Sequence, residues 1–221
     1  MRCAALCLAL VLSMTTSAAA GPWPRGAGNV FLGPKLVQTE DWRAAEFYGE
    51  YGFTERLTLG AKLTWRDDDI RDVELFSRWH LHDLGGAHPV SVEFGTRARL
   101  SDDLLERRPR ATAALHYGMG FAQPLHGGWL TVTLRGTQPP PADTLSRVIV
   151  DLDAELALRP IERGILSARV EQHFAAGEGY VTLVPGLGWE FGESATVMAQ
   201  GTFDPSGDAE PGLRLGLWLD F

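Results

Sequence analysis

Residues 148–158 read VIVDLDAELAL, and this stretch decides the fold. Val148, Val150, Leu152, Ala154, Leu156 and Leu158 fall on one parity, with Ile149, Asp151, Asp153, Glu155 and Ala157 on the other. A helix turns about 100° per residue and would scatter the three carboxylates around its circumference, whereas an extended strand sends every second side chain to the same side. The segment is therefore a strand with one apolar face and one acidic face, its carboxylates repeating about every 6.8 Å.

The same alternation recurs along the chain. In LTLGAKLTW, residues 57–65, Leu57, Leu59, Ala61, Leu63 and Trp65 oppose Thr58, Gly60, Lys62 and Thr64. In LRLGLWLDF, residues 213–221, four leucines and Phe221 oppose Arg214, Gly216, Trp218 and Asp220. About twelve such segments are legible, near 29–38, 44–53, 57–66, 73–82, 89–100, 110–122, 129–137, 146–158, 165–175, 180–191, 195–203 and 213–221. Their connections alternate: TERL, HDLGGAHP, PLHGG, RPIERG and GES are compact, while RDDDIRD, SDDLLERRP, TQPPPADT and DPSGDAEPG are acidic or proline-rich.

A soluble sandwich would bury its apolar faces inward and turn its charged faces to water. Here nearly every strand has both a charged face and an apolar face of about nine to eleven residues, the length a tilted strand needs to cross a bilayer. With no helices to cover either set of faces, the economical solution is a cylinder with lipid outside and a polar lumen. The fold class is thus all-β: a single closed antiparallel transmembrane β-barrel of about 12 strands in an up-and-down meander.

Residues 1–20 carry Arg2, an apolar run too short to span a bilayer, and small residues up to Ala20, the pattern of a cleaved secretory signal. Residues 21–28 then form a short lead with no plug domain, and 29–221 form the barrel. Both cysteines, Cys3 and Cys7, lie in the signal, so the exported chain has neither a disulfide nor a thiolate metal site. The net charge of -8 argues against nucleic acid as a partner.

An alternating apolar final strand ending in Phe221 resembles the C-terminal signature of Gram-negative outer-membrane β-barrel proteins. YGEYGFTERLTLGAKLTW, residues 48–65, is similar to the hairpins of that class. The resemblance covers the exported chain as a pattern and singles out no member. It implies an outer-membrane location, contact with outer-membrane lipid, and recognition of the strand ending in Phe221 by the barrel-assembly machinery.

The inward parity collects an ionic set. The first half of the barrel contributes Glu46, Glu50, Lys62, Glu74, Arg78, Glu93, Arg97 and Arg99, and the second half Arg135, Arg147, Asp151, Asp153, Glu155, Arg169, Glu171, Glu190 and Arg214. One register of the fourth and fifth strands sets Arg78 opposite Glu93 and Glu74 opposite Arg97; a shift of two sets His80 opposite Glu93 and Glu74 opposite Arg99. Glu155 or Asp153 meets Arg169 across the eighth and ninth strands. Opposite charges facing each other across strands stabilise by about 0.2–1 kcal/mol each, and the same charges unpaired in a narrow lumen would cost far more. On the outward parity, Phe53, Phe121, Phe191 and Phe221 fall at the short-turn ends, with Trp65, Phe174 and Phe203 at the long-loop ends, as two interfacial girdles.

No catalytic residue, cofactor or metal site is predicted. His80, His82, His116 and His173 face inward without a complete ligand set, and no nucleophile motif surrounds Ser91, which one register places opposite His80. Twelve strands lie between the side-chain-filled eight and the open 16–18 of porins. The expected function is a narrow, salt-bridge-lined channel for small solutes of unknown identity; a membrane-embedded lipid-modifying enzyme and a closed structural barrel remain alternatives.

Overall fold

The computed structural model describes residues 22–66, 69–83, 88–100, 108–138, 148–175, 177–207 and 210–221. Twelve strands succeed one another: β1 (Val30–Gln38), β2 (Arg43–Gly52), β3 (Leu57–Arg66), β4 (Asp69–Asp83), β5 (Pro89–Arg99), β6 (Arg110–Phe121), β7 (Gly128–Thr137), β8 (Ile149–Ile161), β9 (Gly164–Ala175), β10 (Glu178–Phe191), β11 (Ala195–Thr202) and β12 (Gly212–Asp220). Each pairs antiparallel with its sequence neighbours, and β1 pairs with β12, closing an up-and-down barrel. Among the described residues there is no helix.

Period-two patterning sets which face is which. Outward positions carry exposed apolar side chains, among them Leu36, Leu75, Phe94, Leu187 and Leu215, with Leu187 at 66 % exposure. Such a surface is unfavourable in water and is the natural outer wall of a barrel in hydrocarbon. Glu74, Arg78, Glu93 and Glu155 are buried, each beside an exposed apolar neighbour: Leu75, Trp79, Phe94 and Leu156.

Both ends of the barrel segment lie at the same rim, where Val30 and Phe221 exchange backbone hydrogen bonds of 3.0 and 2.9 Å. This rim also holds the connections β2–β3, β4–β5, β6–β7, β8–β9 and β10–β11. At the opposite rim one expected loop is shorter than it reads. RDDDIRD reads as acidic loop, yet β3 runs to Arg66 and β4 begins at Asp69. Ile70 pairs with Trp65 beyond a bulge at Thr64/Trp65, so the second half of the acidic run belongs to the ladder.

Besides Pro89, which opens β5, and Pro160, which lies in a register shift near the end of β8, two prolines interrupt the wall in mid-strand. Pro34 in β1 belongs to the parity that bonds β12, and the β1–β12 register passes from Leu32↔Leu219 to Lys35↔Gly216 without it. Pro185 in β10 does the same toward β11, between the Leu183↔Phe203 bridge and Gly186↔Gln200. Proline has no N–H to donate, so each leaves a ladder short of a bond. The β11–β12 pair therefore has an interrupted seam on each side.

Candidate functional site

The inward face of a closed barrel brings together side chains that are far apart along the sheet. On the short-turn side of the lumen the charges are buried. The Arg78 guanidinium donates to Glu50 Oε1 at 2.6 Å and to Glu93 Oε2 at 2.8 Å, and also to the Tyr48 hydroxyl at 3.0 Å. Tyr48 donates in turn to Glu50. Arg135 reaches over from β7 to Glu74, and to Glu93 Oε1 at 2.8 Å. His116 accompanies this group, with Nδ1 3.0 Å from Thr133 Oγ1 and Nε2 3.3 Å from Glu93 Oε2. Phe76 lies over Gly60, where a Cβ would approach its ring to 2.0 Å, and stacks on Tyr48 with centroids 5.7 Å apart.

Above this layer the lumen opens into a cavity of about 480 Å³, lined among others by Lys35, Lys62, Arg97, Asp151, Asp153, Glu171, Tyr180 and Arg214. Glu46 pairs with Lys35 at 2.9 Å and with Lys62 at 3.2 Å. Asp72 pairs with Arg97 at 3.1 Å and lies 3.9 Å from Arg99. Arg169 meets Glu155, and Glu171 at 3.6 Å; Arg214 crosses from β12 to Glu171 at 2.6 Å. His173 Nδ1 lies 2.5 Å from Asp151 Oδ1, and its ring stacks on Tyr180. Asp153 faces the cavity without an ion-pair partner among the described residues.

In several of these pairs the base lies nearer the water and the acid nearer the wall. The side chain of Lys62 is 39 % exposed against 20 % for Glu46, and that of Arg97 38 % against 14 % for Asp72. Arg135 and Arg169 likewise overlie Glu74 and Glu155, whereas Arg214 and Glu171 show the opposite order. Length explains the trend: a carboxylate on one or two carbons stays at the wall, while guanidinium and ammonium groups extend over it.

The register of β4 and β5 sets Arg78 opposite Glu93, Glu74 opposite Arg97 and His80 opposite Ser91. Yet the Glu74 carboxylate meets Arg135, and Arg97 turns to Asp72. Glu155 pairs with Arg169 across β8 and β9, while Asp153 faces Glu171. Glu190 pairs with Arg159 at 2.7 Å near the short-turn rim. Ser91 donates its hydroxyl to the Pro22 carbonyl at 2.5 Å, so its proton is engaged away from His80. Arg147 and the side chain of His82 lie outside the described residues, as does the signal read at 1–20.

Sequence reading missed Arg25, Lys35, Asp72 and Arg159. Asp72 sat in an acidic run read as loop. Arg159 keeps the parity of Asp151, Asp153 and Glu155, but it opens RPIERG, which reads as a turn, whereas β8 runs on to Ile161. Lys35 keeps the inward parity of β1, and alternation could have found it. Arg25 precedes the first strand, where periodicity carries no information.

Phe53, Phe191 and Phe221 are exposed at the short-turn rim with Phe121 partly so; Phe174 and Phe203 are exposed toward the other rim, where Trp65 is half-buried. Trp79 and Trp189 add further exposed aromatics to the outer wall.

No protein-family model matches this chain, and no curated protein matches its sequence. Solved structures do match its shape. The KdgM porin aligns with a TM-score of 0.65 at 11 % identity, over 86 % of this chain and 99 % of that one. The NanC porin aligns with a TM-score of 0.64 at 7 % identity, over 86 % and 98 %. An outer-membrane channel from Pseudomonas putida F1 aligns with a TM-score of 0.54 at 11 % identity, over 94 % and 100 %. The fold is that of the outer-membrane β-barrels, and at these identities the likeness is one of fold.

Proposed function

We propose that this chain is exported and inserted in the outer membrane, where it serves as a channel for small solutes with a preference for anions. One observation carries the reading: a closed barrel encloses a charged cavity of about 480 Å³ in which Lys62, Arg97, Arg135 and Arg169 are each more exposed than their carboxylate partners. Within the lumen Lys62, Arg97 and Arg99 are more exposed to a solute than Glu46 and Asp72, the acids they pair with or face. Fixed cations lining a narrow path attract anions and repel cations. One solved neighbour, KdgM, is described in complex with oligogalacturonate, an acidic sugar chain, which agrees with the same chemistry at the level of fold. The strand ending in Phe221 is the element offered to the assembly machinery, and the outward aromatics seat the barrel at the two lipid interfaces.

Planar-bilayer recording tests this. Refolded protein should give small reproducible conductance steps, and under a salt gradient the reversal potential should have the sign of anion selectivity. Steps with a cation-selective reversal potential would remove the solute preference; a silent bilayer would remove the channel.

A further inference from the structure

In a hollow barrel the inward side chains near a rim should meet water. Here they do not: at the short-turn end Ala157 is 0 %, Ser91 1 % and Ile165 3 % exposed. Part of their cover is the inward side chains Trp129, Met198 and Trp218, and part comes from the lead before β1. Pro22 is itself fully buried, and Trp23 packs against the cluster of Trp129, Ala157, Ile165 and Met198. We propose that residues 22–25 are a built-in plug, seated inside the barrel and shutting the lumen at the short-turn end, with Arg25 as its latch. The proposal rests on the channel reading only for what is shut.

The seat is built for this segment. Ser91 Oγ donates to the Pro22 carbonyl at 2.5 Å. Arg25 Nε donates to the buried carboxylate of Glu50, and one terminal nitrogen donates to Asp220 Oδ1 at 3.2 Å, tying the segment to β2 and β12 together. The same guanidinium lies 4.2 Å from the centroid of Phe31. Two glycines clear the space. A Cβ on Gly118 would stand 2.4 Å from Pro22 Cγ and 3.0 Å from the Trp23 ring, and one on Gly52 would stand 1.7 Å from the Gly26 carbonyl oxygen.

The chain reverses into the barrel through Gly26 and Gly28, at φ of 74° and 86°, a region that favours glycine. Gly28 N–H donates to the Gly52 carbonyl at 2.8 Å, and Gly52 N–H to that of Asn29 at 2.9 Å, fixing the reversal against β2. Without a Cβ on Gly52 or Gly118 the wall accepts the segment; with one it could not.

The latch is polar, with Asp220 partly open to solvent, so the plug is held by contacts that water can replace at that edge. Its apolar anchor, Trp23, has the opposite character and sets the depth of insertion.

The test uses the exported chain, which has no cysteine of its own. Ser91→Cys, nearly isosteric and lying under the plug, is reacted with a hydrophilic maleimide in detergent, with and without residues 22–25. Removal of the segment should speed labelling about tenfold or more, as local exposure replaces rare opening, and should raise step conductance in bilayers. Equal labelling rates overturn the plug whatever the conductance does. Faster labelling with both proteins silent in bilayers leaves the plug standing and removes the channel. If the truncated chain does not refold, Gly118→Leu in the Ser91→Cys background keeps every residue and evicts the segment by volume alone; the same acceleration is expected, and its absence overturns the proposal.

Discussion

The two ends of this lumen are built from similar residues and behave in opposite ways. At the short-turn end Arg78, Glu50 and Glu93 are packed beneath Tyr48, Phe76 and the N-terminal segment, and the charges see almost no water. At the long-loop end Arg97, Arg99 and Asp72 form comparable pairs beside an open cavity. The difference teaches that composition does not decide what an ion pair does inside a barrel. Where side chains fill the bore, pairing compensates for lost hydration and holds the structure together. Where the bore is open, the same pairing is screened, contributes little to stability and leaves the outer charge free to act on a solute.

That contrast can be broken by experiment, and the largest effect belongs to the closed end. Arg78→Leu removes the cation shared by the buried Glu50 and Glu93, leaving Glu50 with Arg25 and Glu93 with Arg135 and His116, and should destabilise the barrel by about 3 kcal/mol, the low end for breaking a buried pair, read as a fall in the urea midpoint of reversible unfolding. If the loss is below a tenth of the wild-type midpoint, the closed end is wetter than described.

The outer wall makes no distinction between the two ends. Leu187→Arg should cost about 2–4 kcal/mol in vesicles, and a neutral result would mean that this face does not meet hydrocarbon. Tyr48→Phe removes the hydroxyl shared by Glu50 and Arg78, and should cost about 1–3 kcal/mol in the same assay.

At the open end the matching change, Arg97→Leu, should cost no more than about 1 kcal/mol but shift the reversal potential toward cations. Similar costs for Arg78→Leu and Arg97→Leu would erase the comparison. Smallest in stability is Asp153→Asn, which should leave the unfolding midpoint unchanged and move selectivity further toward anions.

The wall of this molecule was legible because strand side chains alternate with an exact period of two. The face of Asp151, Asp153 and Glu155 and the strand count follow from that period, whereas it left two registers open for β4 and β5, of which the structure has the one that sets Arg78 on Glu93. The contents of the bore were less legible. Arg135 meets Glu74 from three strands away, and Arg214 meets Glu171 likewise; such contacts depend on curvature and closure, which have no periodic trace. The N-terminal plug was invisible for a related reason. GPWPRGAG shows no alternation, and its meaning lies in Gly52 and Gly118, whose missing side chains leave no mark on an alternating pattern.

Pro34 and Pro185 place the final hairpin between two incompletely stitched seams. A cylinder sewn by backbone amides breathes first where a stitch is missing, so deuterium should enter β11 and β12 sooner than β6 and β7, whose shared ladder runs without a gap. The panel that completes the cylinder is also the one most ready to part from it, which gives this closed wall a preferred line of fatigue under heat or lateral pressure.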